Sequence, residues 1–167
     1  TTAAGQPLWE RGVRHMNPVH SLWPGSVHPR SNGGLLVNGR FSPAFDYDAP
    51  GIVSIGPDGQ TEWGRTYMTD STDYGSVGAR FVRFAEHSDG DHIVAVDGRN
   101  TLGIARLDAE GIPVWYKRYP TEMPYTYVVD LALEPDNGIT LLGHAGGSGL
   151  ILVHTTSEGE PLWAYHY

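Results

Sequence analysis

One short phrase occurs four times in this chain of 167 residues and constrains its fold more than any other feature. The phrase is Gly-x-(Pro/Thr)-x-Trp, and its copies end at Trp9, Trp63, Trp115 and Trp163. A spacing of about fifty residues is typical of repeat architectures, in which each unit packs on the next. Three of the tryptophans are followed four residues later by tyrosine, so Trp and Tyr fall on one side of an extended strand.

A second phrase lies midway between the tryptophans and keeps the same register. It is a polar turn with glycine followed by an apolar run, and its copies begin at Ser31, Ser88 and Pro135. The turns of both phrases suit β-hairpins, because glycine adopts a positive φ without strain and Asp supplies a local hydrogen bond. The aspartates expected to have this structural role are Asp58, Asp89, Asp108 and Asp136.

Each interval divides into four strand-sized segments separated by Gly, Asp, Asn and Pro turns. The predicted strands are 19–28, 35–38, 52–55 and 62–67, then 78–86, 92–96, 102–108 and 114–119, then 127–134, 139–143, 150–155 and 162–167. Short strands separated by such turns indicate antiparallel sheets, and four strands per repeat make one propeller blade. We therefore predict an all-β fold, a β-propeller-type array of about three four-stranded antiparallel blades. The blades cover approximately 10–67, 68–119 and 120–167, and 1–9 belongs to a preceding or shared blade.

The two phrases resemble the blades of bacterial β-propeller repeat proteins, which run SDGGYIVAG and, further on, DIWLVKLDSDGNVQWSKTY. The matching segments are 31–37 and 88–90 for the first phrase, and 103–108 and 115–119 for the second. The resemblance covers 5–167 and implies a propeller-type fold. It is weakest in the first blade, where Pro18, Pro24 and Pro29 lie in or beside the inner strand, at positions that only an edge or a bulge tolerates.

Three blades are too few to close a ring, because closed propellers have about four to eight. The first and last Trp phrases, 5–9 and 159–163, stand at the same phase of the repeat. Two explanations follow: the chain is part of a larger propeller, or identical copies associate to complete a ring, with a symmetric pair as the simplest solution. In both cases the expected partners are other protein chains or the remaining blades.

The net charge of −8 and the absence of cysteine narrow the chemistry further. Few Lys and Arg are present to neutralise phosphates, so no nucleic-acid partner is expected. Disulfides, Cys-ligated zinc and thiol catalysis are excluded, and no apolar run is long enough to predict a membrane span. The chain begins at Thr1 rather than Met, which a removed signal peptide or a partial chain would explain. We predict a secreted or extracytoplasmic bacterial protein.

Metal-ligand patterns are weak. A loose cluster that could suit copper comprises His15, Met16, His20 and His28, but its spacing matches no strong signature. The remaining histidines are expected at the surface: His87, His92, His144, His154 and His166. The acidic segments 46–48 and 70–73 lack the loop pattern of a calcium site. We predict no metal and no cofactor.

No catalytic motif is present, neither Gly-x-Ser-x-Gly nor His-Glu-x-x-His nor a Walker loop. The glycine-rich segment 146–149 joins two strands, so it lacks the helix dipole that would hold phosphate. Arg83 and Asp130 occupy the same phase of neighbouring inner strands, with Ser26 as the third equivalent. They are expected either to pair with each other, which is the preferred interpretation, or to contact a small ligand. We assign no catalytic residue, and ligand-binding residues stay unknown.

The recurring aromatic residues, Trp63, Trp115 and Trp163 with their tyrosines, are expected to pack between adjacent blades. Trp23 is irregular, because Arg80 and Tyr127 stand at the equivalent positions, and this makes it the better candidate for a binding site.

Three functions remain open, because propellers host enzymes, lectins and scaffolds alike. The preferred one is a non-catalytic structural or interaction module that can self-assemble, favoured by the missing catalytic motifs and the incomplete ring. The second is glycan binding, favoured by 11% aromatic residues and acidic polar loops. The third is a fragment of a propeller enzyme, namely a hydrolase, lyase or quinone-dependent oxidoreductase whose other blades carry part of the site.

Overall fold

The structure is a computed structural model that describes residues 21–44, 47–67, 80–98, 101–121, 126–146 and 149–167. These residues form twelve β-strands, and none of them lies in a helix that could cross a membrane. The first sheet contains β1 (Ser21–Pro29), β2 (Leu35–Ala44), β3 (Tyr47–Ile55) and β4 (Thr61–Thr66). The second contains β5 (Arg80–Glu86), β6 (His92–Gly98), β7 (Thr101–Leu107) and β8 (Pro113–Pro120). The third contains β9 (Tyr127–Leu133), β10 (Ile139–Ala145), β11 (Gly149–Thr155) and β12 (Pro161–His166).

Each sheet is an antiparallel meander in which sequential strands are hydrogen-bonded neighbours. The prediction of three four-stranded antiparallel sheets is confirmed, and the arrangement is consistent with a propeller-like array of blades. We call β1, β5 and β9 the inner strands and β4, β8 and β12 the outer strands. The inner strands of neighbouring sheets lie against one another, β1 against β5 and β5 against β9.

The turns have the backbone geometry that the repeated phrases predict. The turn before each outer strand, which we call the outer turn, has a glycine with φ between 74° and 78°, namely Gly59, Gly111 and Gly159. A side chain disfavours this region of φ, which explains the recurrence of glycine. The aspartates cap their turns as predicted: for example, Asp108 Oδ1 accepts hydrogen bonds from the backbone N–H groups of Glu110 and Ile112. Asp58, Asp89 and Asp136 each accept one from the residue two positions later.

β-Bulges recur at the same two places in every sheet. One interrupts each inner strand, as between Pro24 and Val27 in β1. The other lies at the start of each outer strand, just before the tryptophan. Pro24 therefore borders a bulge, and Pro29 is the last residue of β1, so both occupy positions that tolerate proline. Pro18 lies outside the described residues.

The hydrophobic core lies between the sheets. One cluster joins the first and second sheets and consists of Leu36, Ile52, Tyr67, Phe81, Val94, Val96, Ala105 and Leu107. The other joins the second and third sheets and includes Ile93, Ala95, Leu102, Ile104, Tyr119, Val128, Ile139, Leu141, Ile151 and Val153. Because successive side chains of a strand point to opposite faces, β6 is buried on both sides.

The first sheet is larger than predicted. β2 extends to Ala44, and β3 already begins at Tyr47. The apolar runs predict strands over 35–38 and 52–55 only. Backbone pairing continues through Gly39↔Gly51 and Arg40↔Pro50, where no apolar pattern marks a strand. Ladder hydrogen bonds join main-chain groups and do not require an apolar side chain.

Candidate functional site

The first junction, between the first and second sheets, contains hydrogen bonds made by the recurring aromatic residues. Trp63 and Tyr67 of the first sheet both reach the outer turn of the second sheet. The indole Nε1–H of Trp63 donates to the carbonyl of Ala109 over 3.0 Å, and the hydroxyl of Tyr67 donates to the carbonyl of Gly111 over 2.8 Å. The indole ring lies so close to Gly111 that a Cβ there would be 2.6 Å from it. The phrase Trp-x-x-x-Tyr is therefore a contact element between sheets, as predicted.

The second junction, between the second and third sheets, repeats part of this arrangement. Tyr119 donates to the carbonyl of Gly159 over 2.8 Å, and the ring of Trp115 lies against the same glycine. Burial raises the pKa of Tyr119 above its usual range, so its hydroxyl remains a proton donor. The indole nitrogen of Trp115, unlike that of Trp63, is buried with no hydrogen-bond partner in the described structure.

The third sheet presents the equivalent face to solvent. Register places Trp163, Tyr165 and Tyr167 opposite His154, Leu152 and Leu150, as it places their counterparts in the other sheets. Trp163, Tyr165 and Tyr167 are 40%, 55% and 72% exposed, whereas Tyr67 and Tyr119 are 6% and 9% exposed. We call this surface the open face and define it by Leu142, Leu150, Leu152, Trp163, Tyr165 and Tyr167.

The prediction that the recurring tryptophans pack between neighbouring units is therefore confirmed for Trp63 and Trp115, whereas Trp163 is 40% exposed in this chain. The aromatic residues of the open face form a continuous row along β12 and onto Tyr167, which follows this strand. The ring centroids of Trp163 and Tyr165 are 5.1 Å apart, those of Tyr165 and Tyr167 are 6.4 Å apart, and Trp163 stacks on His154 at 5.0 Å. A contiguous exposed patch of this kind is typical of an interaction surface.

His144 borders the open face and has an unsatisfied polar atom. Its ring stacks on Tyr127 at 4.9 Å, and its Nδ1 is buried with no hydrogen-bond partner in the described structure. The same position of the second sheet is Asp97, whose Oδ1 accepts a hydrogen bond from the backbone N–H of Val128 in the next sheet. His144 thus stands where the second sheet contacts its neighbour.

A pocket of about 500 Å³, open to solvent, lies at the edge of the second junction and is lined by Tyr119, Ile151, Val153, the exposed Ala164 and neighbouring residues. At the first junction the position of Ala164 is occupied by Tyr116, whose ring covers Gly103. The alanine is therefore one cause of the pocket. The sequence contained this signal, since the residue after each recurring tryptophan can be compared directly.

The inner strands carry the predicted ion pair. Arg83 Nε lies 3.3 Å from Asp130 Oδ1, which confirms that these two residues pair across neighbouring strands. Both are exposed, so the pair contributes little to stability. Ser26, the third equivalent, bonds instead within its own sheet to His28 over 2.7 Å.

Two of the histidines expected at the surface are buried. His92 is 1% exposed and faces the ring of Trp63 at the first junction, and His87 is also buried and lies 2.7 Å from Asp89. Burial and, to a lesser extent, the charge of Arg30 lower the pKa of His92. The expectation is wrong for His92 because its position is a core position: Leu35 and Ile139 are the aligned residues.

The other predicted candidates cannot be placed in a site. His15, Met16, His20 and the acidic segment 70–73 lie outside the described residues, as does Asp46. Trp23 lies on β1 and pairs with Arg40 through the backbone, but its side chain is outside the described part of the structure. Within that described part, no three His, Asp or Glu residues come together as metal ligands.

Comparison with known proteins shows no family for this chain. No family model and no curated protein matches the chain. Among solved structures, it is similar to a protein of unknown function from Bacteroides caccae, with 14% sequence identity and a TM-score of 0.40 over all of this chain and 73% of that chain.

Proposed function

We propose that this protein is a non-catalytic structural or interaction module built from β-propeller-type repeats, and that it acts by protein contact through the open face. The open face is the observation that carries this proposal. Its counterparts on the first and second sheets are buried against a neighbouring sheet, and its own aromatic residues are exposed. Covering aromatic side chains of this size contributes strongly to association.

Two kinds of partner satisfy the proposal. Further blades, in the same or another polypeptide, would extend the array toward a closed ring. A second copy of the chain would complete a symmetric assembly. A secreted or extracytoplasmic location in a bacterium accords with either partner and remains part of the proposal.

In-cell photo-cross-linking tests the interaction function. A photoreactive phenylalanine analogue placed at Tyr165, in the open face, should give cross-links to protein in the cell of origin. The matched control is the same analogue at Pro135, which is exposed in the first turn of the same sheet and should give few. If position 165 yields no more cross-linked protein than position 135, the interaction function is wrong.

Glycan binding is the second candidate, favoured by the row of three exposed rings on β12. Sugar rings stack on aromatic faces, and neighbouring rings can hold successive sugars. A glycan array probed with the protein and with Trp163→Ala should show hits that the variant loses. An array without hits for the unmodified protein would remove this candidate.

A further inference from the structure

The open face has the pattern of a junction face, and two of its residues are more apolar than their counterparts at the two buried junctions. Leu142 stands where the first and second sheets have Asn38 and Ala95, and Tyr165 stands where they have a cation. Leu150, at the position of the fully buried Leu102, is 45% exposed. These substitutions favour burial of the face rather than hydration.

Both junctions show what such a face contacts. In each, the next sheet presents an outer turn whose glycine, Gly111 or Gly159, has a positive φ and no side chain to keep the tryptophan ring away. The glycine carbonyl accepts the tyrosine hydroxyl in both cases. On the open face, Trp163 and Tyr167 are the corresponding ring and hydroxyl.

A second contact point lies near the inner strand. Asn38 of the first sheet and Asp97 of the second both bond to the backbone of the following inner strand, at Phe81 and Val128. On the third sheet, the buried Nδ1 of His144 stands at the position of Asp97 without a partner in the described structure. If the imidazole turns about its Cβ–Cγ bond, this nitrogen comes to the surface, where in the tautomer with its proton on Nε2 it can accept an N–H as Asp97 does.

We propose that the open face receives a further four-stranded β-sheet blade, whose outer turn has a glycine at positive φ. The glycine carbonyl accepts the hydroxyl of Tyr167, the ring of Trp163 covers the glycine, and an inner-strand N–H of the blade bonds to His144. The proposal rests on the interaction function above and names the chemistry of the partner.

A second copy of this chain matches the open face less well than a further blade does. Two open faces placed together would bring two Tyr167 hydroxyls and two Trp163 rings to one interface with no glycine turn between them. The second sheet receives the first sheet on one of its two faces. In a head-to-tail contact between two copies, the open face of one copy would pack on the corresponding face of the first sheet of the other copy. On that surface Val53, Ile55 and Gly59 are already buried.

Extension of the chain tests the proposal. The full chain is continued after Tyr167 with a second copy of its own residues 120–167, in which the outer-strand tryptophan is replaced by Phe so that the copy can be distinguished by mass. Hydroxyl-radical footprinting read by mass spectrometry then reports the exposure of each aromatic side chain. We expect oxidation of Trp163 and Tyr167 to fall several-fold, to the level of Trp115 and Tyr119 in the same molecule.

Two control variants separate docking from simple extension. In the copy, replacing the residue that corresponds to Gly159 with Val should abolish the protection, because a Cβ at Gly159 would lie 2.9 Å from Trp115. The residue of the copy that corresponds to Asn137 also has a positive φ, but it lies in the turn between the first two strands of the sheet. Replacing it with Val should leave the protection in place. A second extension with residues 68–119 guards against a copy that does not fold.

The proposal is overturned if neither extension protects Trp163 and Tyr167, or if protection survives the Val substitution. It is also overturned if the unextended chain sediments as a dimer in which Trp163 is already protected. Cross-linking at position 165 without protection by either extension would leave the interaction function standing with another kind of partner. Protection by an extension without cross-linking in the cell would support the proposed docking geometry and would show that the interaction function is wrong.

Discussion

At the first junction, Trp63 and Tyr67 both donate hydrogen bonds to the next outer turn, whereas at the second junction only Tyr119 does. The surroundings differ as well. Arg65 bonds to a turn carbonyl at the first junction, and Lys117 bonds to a carboxylate at the second. Tyr116 lies over Gly103 at the first junction, in the place where the second junction has an open pocket beside Ala164.

What the two junctions share is a tyrosine hydroxyl on a glycine carbonyl and a tryptophan ring over the same glycine. The charged contacts and the packing around them change between the junctions. We infer that the aromatic contact with glycine is the constant part of the association between these sheets, and that the surrounding contacts can vary. The experiments below test this difference, starting with the largest expected effect.

Substituting a junction glycine should have the largest effect. Gly111→Ala places a Cβ 2.6 Å from the ring of Trp63 at a φ of 75°. Strain and overpacking together should lower the free energy of unfolding by about 3 kcal/mol. Urea unfolding measures the loss.

Gly90→Ala is the matched control for that substitution. Gly90 also has a positive φ, but a Cβ there would meet nothing within 4 Å. We expect a loss of about 1 kcal/mol from backbone strain alone. Equal losses for the two variants would mean that the contact with Trp63 does not matter.

Removing the tyrosine hydroxyls compares both junctions with the open face. Tyr67→Phe and Tyr119→Phe each leave a glycine carbonyl without its buried partner and should cost about 1 to 2 kcal/mol. Tyr167→Phe should change stability by less than about 0.5 kcal/mol, because Tyr167 is exposed. Chemical unfolding of the three variants gives the comparison. A loss at Tyr167 as large as at Tyr67 would show that the open face is already covered.

Filling the pocket should reduce the difference between the junctions. Ala164→Phe puts a ring against Ile151 and Val153, where the first junction has Tyr116. We expect a gain of about 1 kcal/mol, or an increase in Tm of about 2 to 4 °C. Ala132→Phe, at an exposed position of β9, is the control and should give no gain in a thermal melt. A loss of stability for Ala164→Phe would mean that the pocket cannot accommodate the ring.

Most of the fold was predictable because the two phrases recur in register. Every predicted strand in the described residues is present, and the turn glycines have the φ that their recurrence implied. Strand ends were less predictable, as in β2 and β3, because backbone pairing continues through residues with no apolar pattern.

The candidate site was less predictable than the fold. Trp163 belongs to the same Gly-x-Pro-x-Trp phrase as Trp115. The phrase does not reveal the exposure of Trp163, because exposure depends on what lies against the third sheet. The pocket beside Ala164 and the burial of His92 were detectable, because both residues depart from their aligned counterparts. Comparing the repeats residue by residue would have found them.

The smallest expected effect concerns the dependence of stability on pH. The first junction contains the buried imidazole of His92, whereas the aligned residue of the third sheet is Ile139. Burial and Arg30 lower the pKa of His92, while the charges of Glu86 and Asp91 oppose the shift. Below the unfolded-state pKa of 6.5, the unfolded chain therefore takes up a proton that the folded chain resists, and stability falls as the pH falls. His92→Leu, which copies Leu35 of the first sheet, should make the urea midpoint fall less between about pH 7 and pH 5.

Burial also lowers the pKa of His28. His28→Gln should therefore remove a separate part of the loss of stability at low pH, and the double variant should show the smallest dependence on pH. If His92→Leu keeps the full slope of the parent, then His92 does not make the first junction sensitive to pH.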